Sequence, residues 1–279
     1  MITSDKIGII AGNGQFPSLA LKEARKKGHT TITIAIKGET DTCAGELSDK
    51  IYWLELGEIK KTIDILKEEE INNLIMVGGI DKKKIIAEYF HKDSITNKIA
   101  KNIIDRRDTT IANAVIGVLT KNGINVLDSS IFLKDYLVKH KIYTKRCPTP
   151  NEKEDIRFGW KMAKKASGMD IGQSIAVKNR TVLAIEAVEG TNALIKRAGM
   201  LATGSVLVKT ARPQQDMRFD IPVIGFETIK KLVESKINII AVEAEKMLFY
   251  DEKAAVKLAD DSDISIVGVK QEFFRLNIP

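Results

Sequence analysis

The chain has 279 residues, 44% hydrophobic and 29% charged, which excludes a disordered or collagen-like polymer. Its 44 Lys and Arg against 37 Asp and Glu leave a net charge of +7, spread too diffusely to mark a nucleic-acid surface in a chain only 6% aromatic. Two cysteines without CxxC spacing and three scattered histidines argue against a disulfide framework or a Cys/His metal centre, and favour a reducing cytoplasm. No run approaches the ~18 apolar residues of a spanning helix. The start carries Asp5 and Lys6 and leads straight into strand-like sequence, so it does not read as a signal peptide.

This length predicts about two domains. An apolar strand at 7–11 ends in Gly12, and a helix follows at 15–27, closed by Gly28. Residues 30–36, rich in Thr and Ile, read as a buried strand, and 51–54 as another. A helix at 58–70 buries Ile59, Ile63 and Leu66, and a strand at 74–77 ends in Gly78 and Gly79. Helical sequence then runs to Lys121, before a last strand at 124–127. Such alternation predicts a Rossmann-like parallel sheet with helices on both faces, over residues 1–140.

Pro148 and Pro150 interrupt the pattern, so 141–155 is expected as a linker. Residues 156–279 then form a mixed α/β domain. Its elements are a helix at 152–166, a hairpin of strands 174–177 and 182–187, a helix at 193–201 and a strand at 205–209. A polar loop at 210–220, a helix at 228–234 and a strand at 237–242 complete the reading.

Two groups of residues carry chemistry. The first is the turn Gly12-Asn13-Gly14-Gln15-Phe16-Pro17 between strand and helix. Glycines there let phosphate oxygens approach N–H groups at a helix start. The pattern is GxGxxP, without the third glycine of dinucleotide sites, and Lys37 and Gly38 stand where an NAD site needs an acid. The turn is thus either a phosphate cradle or a bare structural turn. Gly79, at the end of another parallel strand, falls on the side where ligands gather.

The second group lies in the C-terminal half. Glu186 and Glu189 follow one strand, Lys209 ends the next, and Asp216 and Asp220 stand in a loop with Arg212 and Arg218. Thr191 is available as a helix N-cap, and Arg197 lies on the helix behind it. Carboxylates of this kind suit Mg²⁺, which takes one or two of them plus water and phosphate oxygens. Arginine and lysine suit the same phosphates. The set points to Mg²⁺-assisted chemistry on a diphosphate, against the plainer reading of surface ion pairs contributing about 0–1 kcal/mol each.

Residues 8–17 (GIIAGNGQFP), 170–173 (DIGQ), 186–191 (EAVEGT) and 215–222 (QDMRFDIP) together resemble the LpxI-type UDP-2,3-diacylglucosamine pyrophosphatases of lipid A biosynthesis, over essentially the whole chain and in family order. The resemblance implies a Mg²⁺-dependent hydrolase splitting UDP-2,3-diacylglucosamine into UMP and 2,3-diacylglucosamine 1-phosphate. It also implies substrate held between two domains, a homodimer, and an amphiphilic UDP-sugar lipid as partner. A cytoplasmic enzyme touching the inner membrane surface would meet that lipid, and the positive charge would help. The resemblance carries over Asp216, Asp220, Glu186 and Glu189; with Lys209 from the residue chemistry these are the catalytic candidates, and Asp216, Asp220 and Glu186 the expected metal ligands. Gly12, Asn13, Gly14, Gln15, Gly79, Gln173, Thr191, Asn192, Arg197, Arg212, Gln215 and Arg218 are expected to bind substrate. Asn192 stands where the family more often has Asp. Two rival readings are a non-catalytic nucleotide-sugar binding protein, which gains nothing from clustered carboxylates, and an NAD-dependent oxidoreductase.

Overall fold

β-Branched runs at the front of the chain become strands buried on both faces. In the computed structural model, which describes residues 5–81, 93–103 and 107–271, these are β1 (Lys6–Ala11), β2 (Thr30–Ile36), β3 (Lys50–Leu54), β4 (Asn73–Val77) and β5 (Asn125–Val126). Helices α1 (Phe16–Lys26), α2 (Ala44–Leu47), α3 (Ile59–Glu68), α4 (Ser94–Asn102) and α5 (Asp108–Lys121) alternate with them. The helical expectation for 82–92 and 104–106, and His91 with it, lies outside the described residues.

The strands are all parallel, in the order β3-β2-β1-β4-β5. The chain builds outward from β1 to β3 and then crosses to β4, so the switch point lies between β1 and β4. Every residue of β2 after Thr30 is buried, as a central parallel strand requires. Ile34, Leu66, Leu74 and Leu119 centre the core on one face. Pro17 fits the first turn of α1, where no N–H is needed, and Gly28 leaves the helix at φ +82°.

The second half comprises α6 (Pro150–Gly168), β6 (Ser174–Lys178), β7 (Thr181–Ile185), α7 (Thr191–Leu201), β8 (Ser205–Lys209), β9 (Val223–Ile224), α8 (Phe226–Glu234), β10 (Ile237–Glu243), β11 (Leu248–Phe249), α9 (Glu252–Asp261) and β12 (Ser265–Val269). Its main sheet runs β12-β10-β8-β6-β7, with β8, β10 and β12 parallel and the β6–β7 hairpin antiparallel to the rest at its inner strand. The hairpin turn puts Asn179 at φ 49° and Arg180 at φ 56°, the left-handed pair of a type I′ turn. The buried Asp155 carboxylate accepts both of their N–H groups at 2.9 and 2.6 Å.

One face of this sheet packs on Leu194, Ile229, Leu232 and Ala255 of α7, α8 and α9. The other packs on Ile156, Trp160 and Ala163 of α6. A Cβ at Gly159 would stand 2.7 Å from Val208 Cγ2, so α6 lies this close only because that position has none. The sequence reading stopped at β10; α9 and β12 extend the sheet beyond it.

The chain divides into two compact units, Met1–Lys134 with Met217–Asp220, and Asp135–Asp216 with Ile221–Pro279. Residues 141–155, expected as a linker, pack within the second unit. Tyr143 N–H donates to the Ile266 carbonyl at 2.9 Å, and Gly268 N–H to that of Lys141 at 2.8 Å. Thr149 and Glu152 form a reciprocal capping box on α6, with Pro150 in its first turn. In the first unit Met217–Asp220 is anchored by Ser129, whose N–H donates to the Met217 carbonyl at 2.9 Å and whose hydroxyl lies 2.6 Å from the Arg218 carbonyl. Phe219 packs on that unit's core. Among the described residues no helix is long and apolar enough to cross a membrane.

Candidate functional site

The polar groups of the second unit gather at one end of its sheet because three strands turn there. β8 ends at Lys209, which pairs with Ser174 at the start of β6, and β7 ends one residue before Glu186. Glu186 N–H still donates to the Ser174 carbonyl at 2.9 Å, so the carboxylate leaves from an anchored backbone. Gly190, at φ 81°, then turns the chain so that Thr191 opens α7.

Thr191 was expected as an N-cap. Gly190 holds that position, and the Thr191 hydroxyl instead donates to Glu186 Oε1 at 2.8 Å. Lys209 Nζ donates to Thr191 Oγ1 at 3.2 Å and to the Val223 carbonyl at 3.0 Å. Glu186 Oε2 accepts the Gln173 N–H at 3.2 Å. The result is one chain of hydrogen bonds, lysine to threonine to glutamate. Gly172 makes it possible, since a Cβ there would lie 2.1 Å from the Glu186 carbonyl oxygen. The 170–173 and 186–191 motifs are thus two halves of one interlocked turn. Gln173 also offers its carbonyl to Thr210 N–H at 2.9 Å, while its buried Oε1 has no hydrogen-bond partner in the structure.

The remaining candidates lie around this chain of bonds or apart from it. Arg197, exposed, donates to Glu189 Oε1 and to the Ile185 carbonyl, both at 2.7 Å. Asn192 is exposed on the first turn of α7. Arg212 Nε donates to Asp170 Oδ1 at 2.8 Å, and its N–H to Gln215 Oε1 at 3.0 Å. Asp216 is half-buried in the second unit, whereas Arg218 and Asp220, also half-buried, belong to the first. Among the described residues no three His, Cys, Asp or Glu side chains gather as a metal set.

In the first unit the candidates meet through backbone. Gly12 N–H donates to the Val77 carbonyl at 2.8 Å, and Asn13 N–H to that of Gly79 at 2.7 Å. A Cβ on Gly12 would lie 2.2 Å from the Gly79 carbonyl oxygen. These glycines therefore let two strand ends touch, and the N–H groups of Gly12 and Asn13 are engaged by protein carbonyls. Gly14 sits at φ +85° with open space around it, and Gln15 precedes α1. Sequence reasoning missed Glu39, whose Oε2 accepts from Asn13 Nδ2 at 2.7 Å and from Asp81 N–H at 3.1 Å. Its signal was an acid three residues past the end of β2, beyond the strand-end position searched. Ser174, 3.4 Å from the Thr191 hydroxyl, was hidden inside a predicted strand.

Fold and site define a protein of two α/β units, with a charged hydrogen-bond chain at the strand ends of the second. The LpxI N-terminal domain model matches residues 6–136 and the LpxI C-terminal domain model residues 139–267, and the chain belongs to the LpxI family. It is 25% identical over 276 residues, 95% of this chain and 97% of the other, to the UDP-2,3-diacylglucosamine pyrophosphatase LpxI of Caulobacter vibrioides. A shorter match, 37% identical over 73 residues, joins 25% of this chain to 14% of the bifunctional purine biosynthesis protein PurH of Thermoanaerobacter sp.. Among solved structures, a UDP-glucose 4-epimerase from Thermotoga maritima aligns over 52% of this chain and 41% of its own, with 9% identity and a TM-score of 0.30, a likeness too slight to bear on fold or function.

Proposed function

We propose that this chain is a UDP-2,3-diacylglucosamine pyrophosphatase of lipid A biosynthesis. Membership of the LpxI family over both halves carries this reading. In the reaction a water oxygen bonds to one phosphorus of the diphosphate, the bridging P–O bond breaks, and UMP and 2,3-diacylglucosamine 1-phosphate leave. The water's proton passes to a carboxylate.

Lys209 suits the ground-state problem, which is negative charge on the bridge. Its ammonium is oriented by the Val223 carbonyl and the Thr191 hydroxyl, so it is preorganised to face an anion. Arg212, Arg218 and Arg197 supply further phosphate contacts. Asp216 or Asp220 takes the proton from water. Glu189 holds Arg197 in place.

Glu186 suits Mg²⁺ as a ligand. Each oxygen of Glu186 accepts one hydrogen bond, from Thr191 and from Gln173, and a carboxylate has about four lone-pair sites in all. Glu186 would offer Mg²⁺ a hard oxygen, and water and substrate phosphate oxygens would complete such a shell. An ion held there would neutralise charge developing on the phosphoryl oxygens. On this reading Gly12, Asn13, Gly14, Gln15 and Gly79 are substrate contacts as well. The enzyme works as a homodimer in the cytoplasm, at the inner membrane surface.

Incubation with UDP-2,3-diacylglucosamine, with and without Mg²⁺, tests this. UMP release that depends on Mg²⁺ is expected, and substrate retained without UMP release overturns the function. Asp216→Asn or Asp220→Asn, whichever removes the base, lowers kcat by roughly 10²- to 10⁴-fold. Near-full turnover in both variants overturns the assignment of the aspartates.

A further inference from the structure

The loop that carries Arg212, Gln215 and Asp216 leaves the sheet at Ala211, which is buried. What holds that residue is an ion pair with no other apparent use. Glu243 ends β10 and is 9% exposed. A carboxylate so placed is costly without partners. Both its oxygens accept from Lys164 Nζ of α6, at 2.8 and 2.6 Å. Glu243 Oε2 also accepts the Ala211 N–H at 2.8 Å, and Lys164 Nζ donates to the Ala211 carbonyl at 3.0 Å. One residue of the loop therefore has its donor and its acceptor held at once, by side chains from a helix and a strand. Lys164 is itself steadied by the Trp160 ring, 5.6 Å from its ammonium to the ring centroid.

The neighbouring contacts carry this hold forward. Thr210 N–H donates to Gln173, whose own N–H donates to Glu186. Arg212 follows Ala211 directly, and its N–H and guanidinium are tied to Gln215 and Asp170. A buried ion pair adds little net stability over apolar residues of similar size. Its distinctive contribution here is the position of a backbone.

The geometry points to Lys164 and Glu243 as a positioning pair for the loop 211–216, acting on turnover through the placement of Arg212 and Asp216. This rests on the pyrophosphatase reading above. The hydrogen bonds that link Glu186, Thr191 and Lys209 run through other groups, so neither residue is assigned a catalytic role.

The double variant Lys164→Leu/Glu243→Leu removes both contacts and leaves no unpaired buried charge. It is expected to unfold cooperatively, while kcat for UMP release falls roughly 10- to 100-fold with a smaller change in KM. Glu243→Gln keeps an acceptor for the Ala211 N–H and is expected to retain more kcat than Glu243→Leu. A folded double variant with wild-type kcat and KM overturns the inference. Hydrogen exchange on the wild-type protein covers the case of a variant that fails to fold. The Ala211 amide should be strongly protected, and exchange at the rate of an open loop overturns the proposal. If the wild-type protein releases no UMP, the functional reading fails, whereas the exchange experiment still judges the clamp.

Discussion

Both units carry glycine-bearing turns at strand ends, of parallel strands in the first and of an antiparallel hairpin in the second, yet they use them differently. In the first, Gly12 and Gly79 join strand ends by backbone, and the N–H groups of Gly12 and Asn13 are occupied by carbonyls. In the second, Gly172 and Gly190 let side chains converge, and Thr191, Lys209 and Glu186 form the hydrogen-bond chain. A glycine turn thus marks close approach in both units, and it gathers the Glu186, Thr191 and Lys209 side chains only in the second.

Two glycine substitutions give the largest expected effect on that comparison. Gly172→Ala sets a Cβ 2.1 Å from the Glu186 carbonyl oxygen, and Gly12→Ala sets one 2.2 Å from that of Gly79. Backbone cannot yield as a flexible side chain does, so each should lose about 1–3 kcal/mol in urea unfolding. Gly172→Ala should also lower kcat beyond what its unfolded fraction explains, because it displaces Glu186. Gly12→Ala should instead raise KM. Equal kinetic behaviour of the two variants would erase the distinction drawn above.

A smaller effect is expected at the centre of the hydrogen-bond chain. Thr191→Val keeps the shape and removes the hydroxyl shared by Glu186 and Lys209. Turnover should fall about tenfold, equivalent to ~1.4 kcal/mol, and Thr191→Ser should restore most of it. A fully active Thr191→Val protein would show that the chain of bonds is only structural.

The smallest effect is on acid stability, and it compares the units directly. In the first unit, hydrogen bonds from the Lys50 ammonium and then the Tyr52 hydroxyl hold the Glu69 carboxyl below its ordinary value of 4.5. In the second, burial pushes Glu152 up, but the Arg146 guanidinium and the Thr149 N–H outweigh it and leave it below 4.5. A carboxyl lowered by folding contributes stability in full above its unfolded value, and that contribution is lost as pH falls through the lower folded one. Thermal midpoints should therefore drop as pH falls below 4.5. Glu152→Gln should flatten that drop for the second unit alone, and an unchanged slope would remove Glu152 from the account.

Much of the fold was readable because its signals are local. The run 30–36 and the strand 205–209 coincide with β2 and β8, and the turn at Asn179-Arg180 closes an antiparallel hairpin as expected. Thr149 with Pro150 signals a helix start rather than a linker once Glu152 is read as the third member of a capping box. The site was readable as a list of residue types, not as an arrangement. Glu186, Thr191 and Lys209 were all named, but Thr191 was read as a cap or a substrate contact, not as the link between the other two. Lys164 and Glu243, 79 residues apart, went unnoticed, since neither belongs to a short motif.

Periodicity, β-branched runs and the punctuation of glycine and proline sufficed to place strands, helices and the candidate groups along the chain, because each depends on residues a few positions apart. Two outcomes needed the folded chain: that the loop 215–222 divides, with Asp216 in one unit and Asp220 in the other, and that the backbone of Ala211 is held by an ion pair. Both depend on which distant surfaces pack together and which buried polar atoms must find partners there, a matter decided by tertiary packing and desolvation rather than by local propensity.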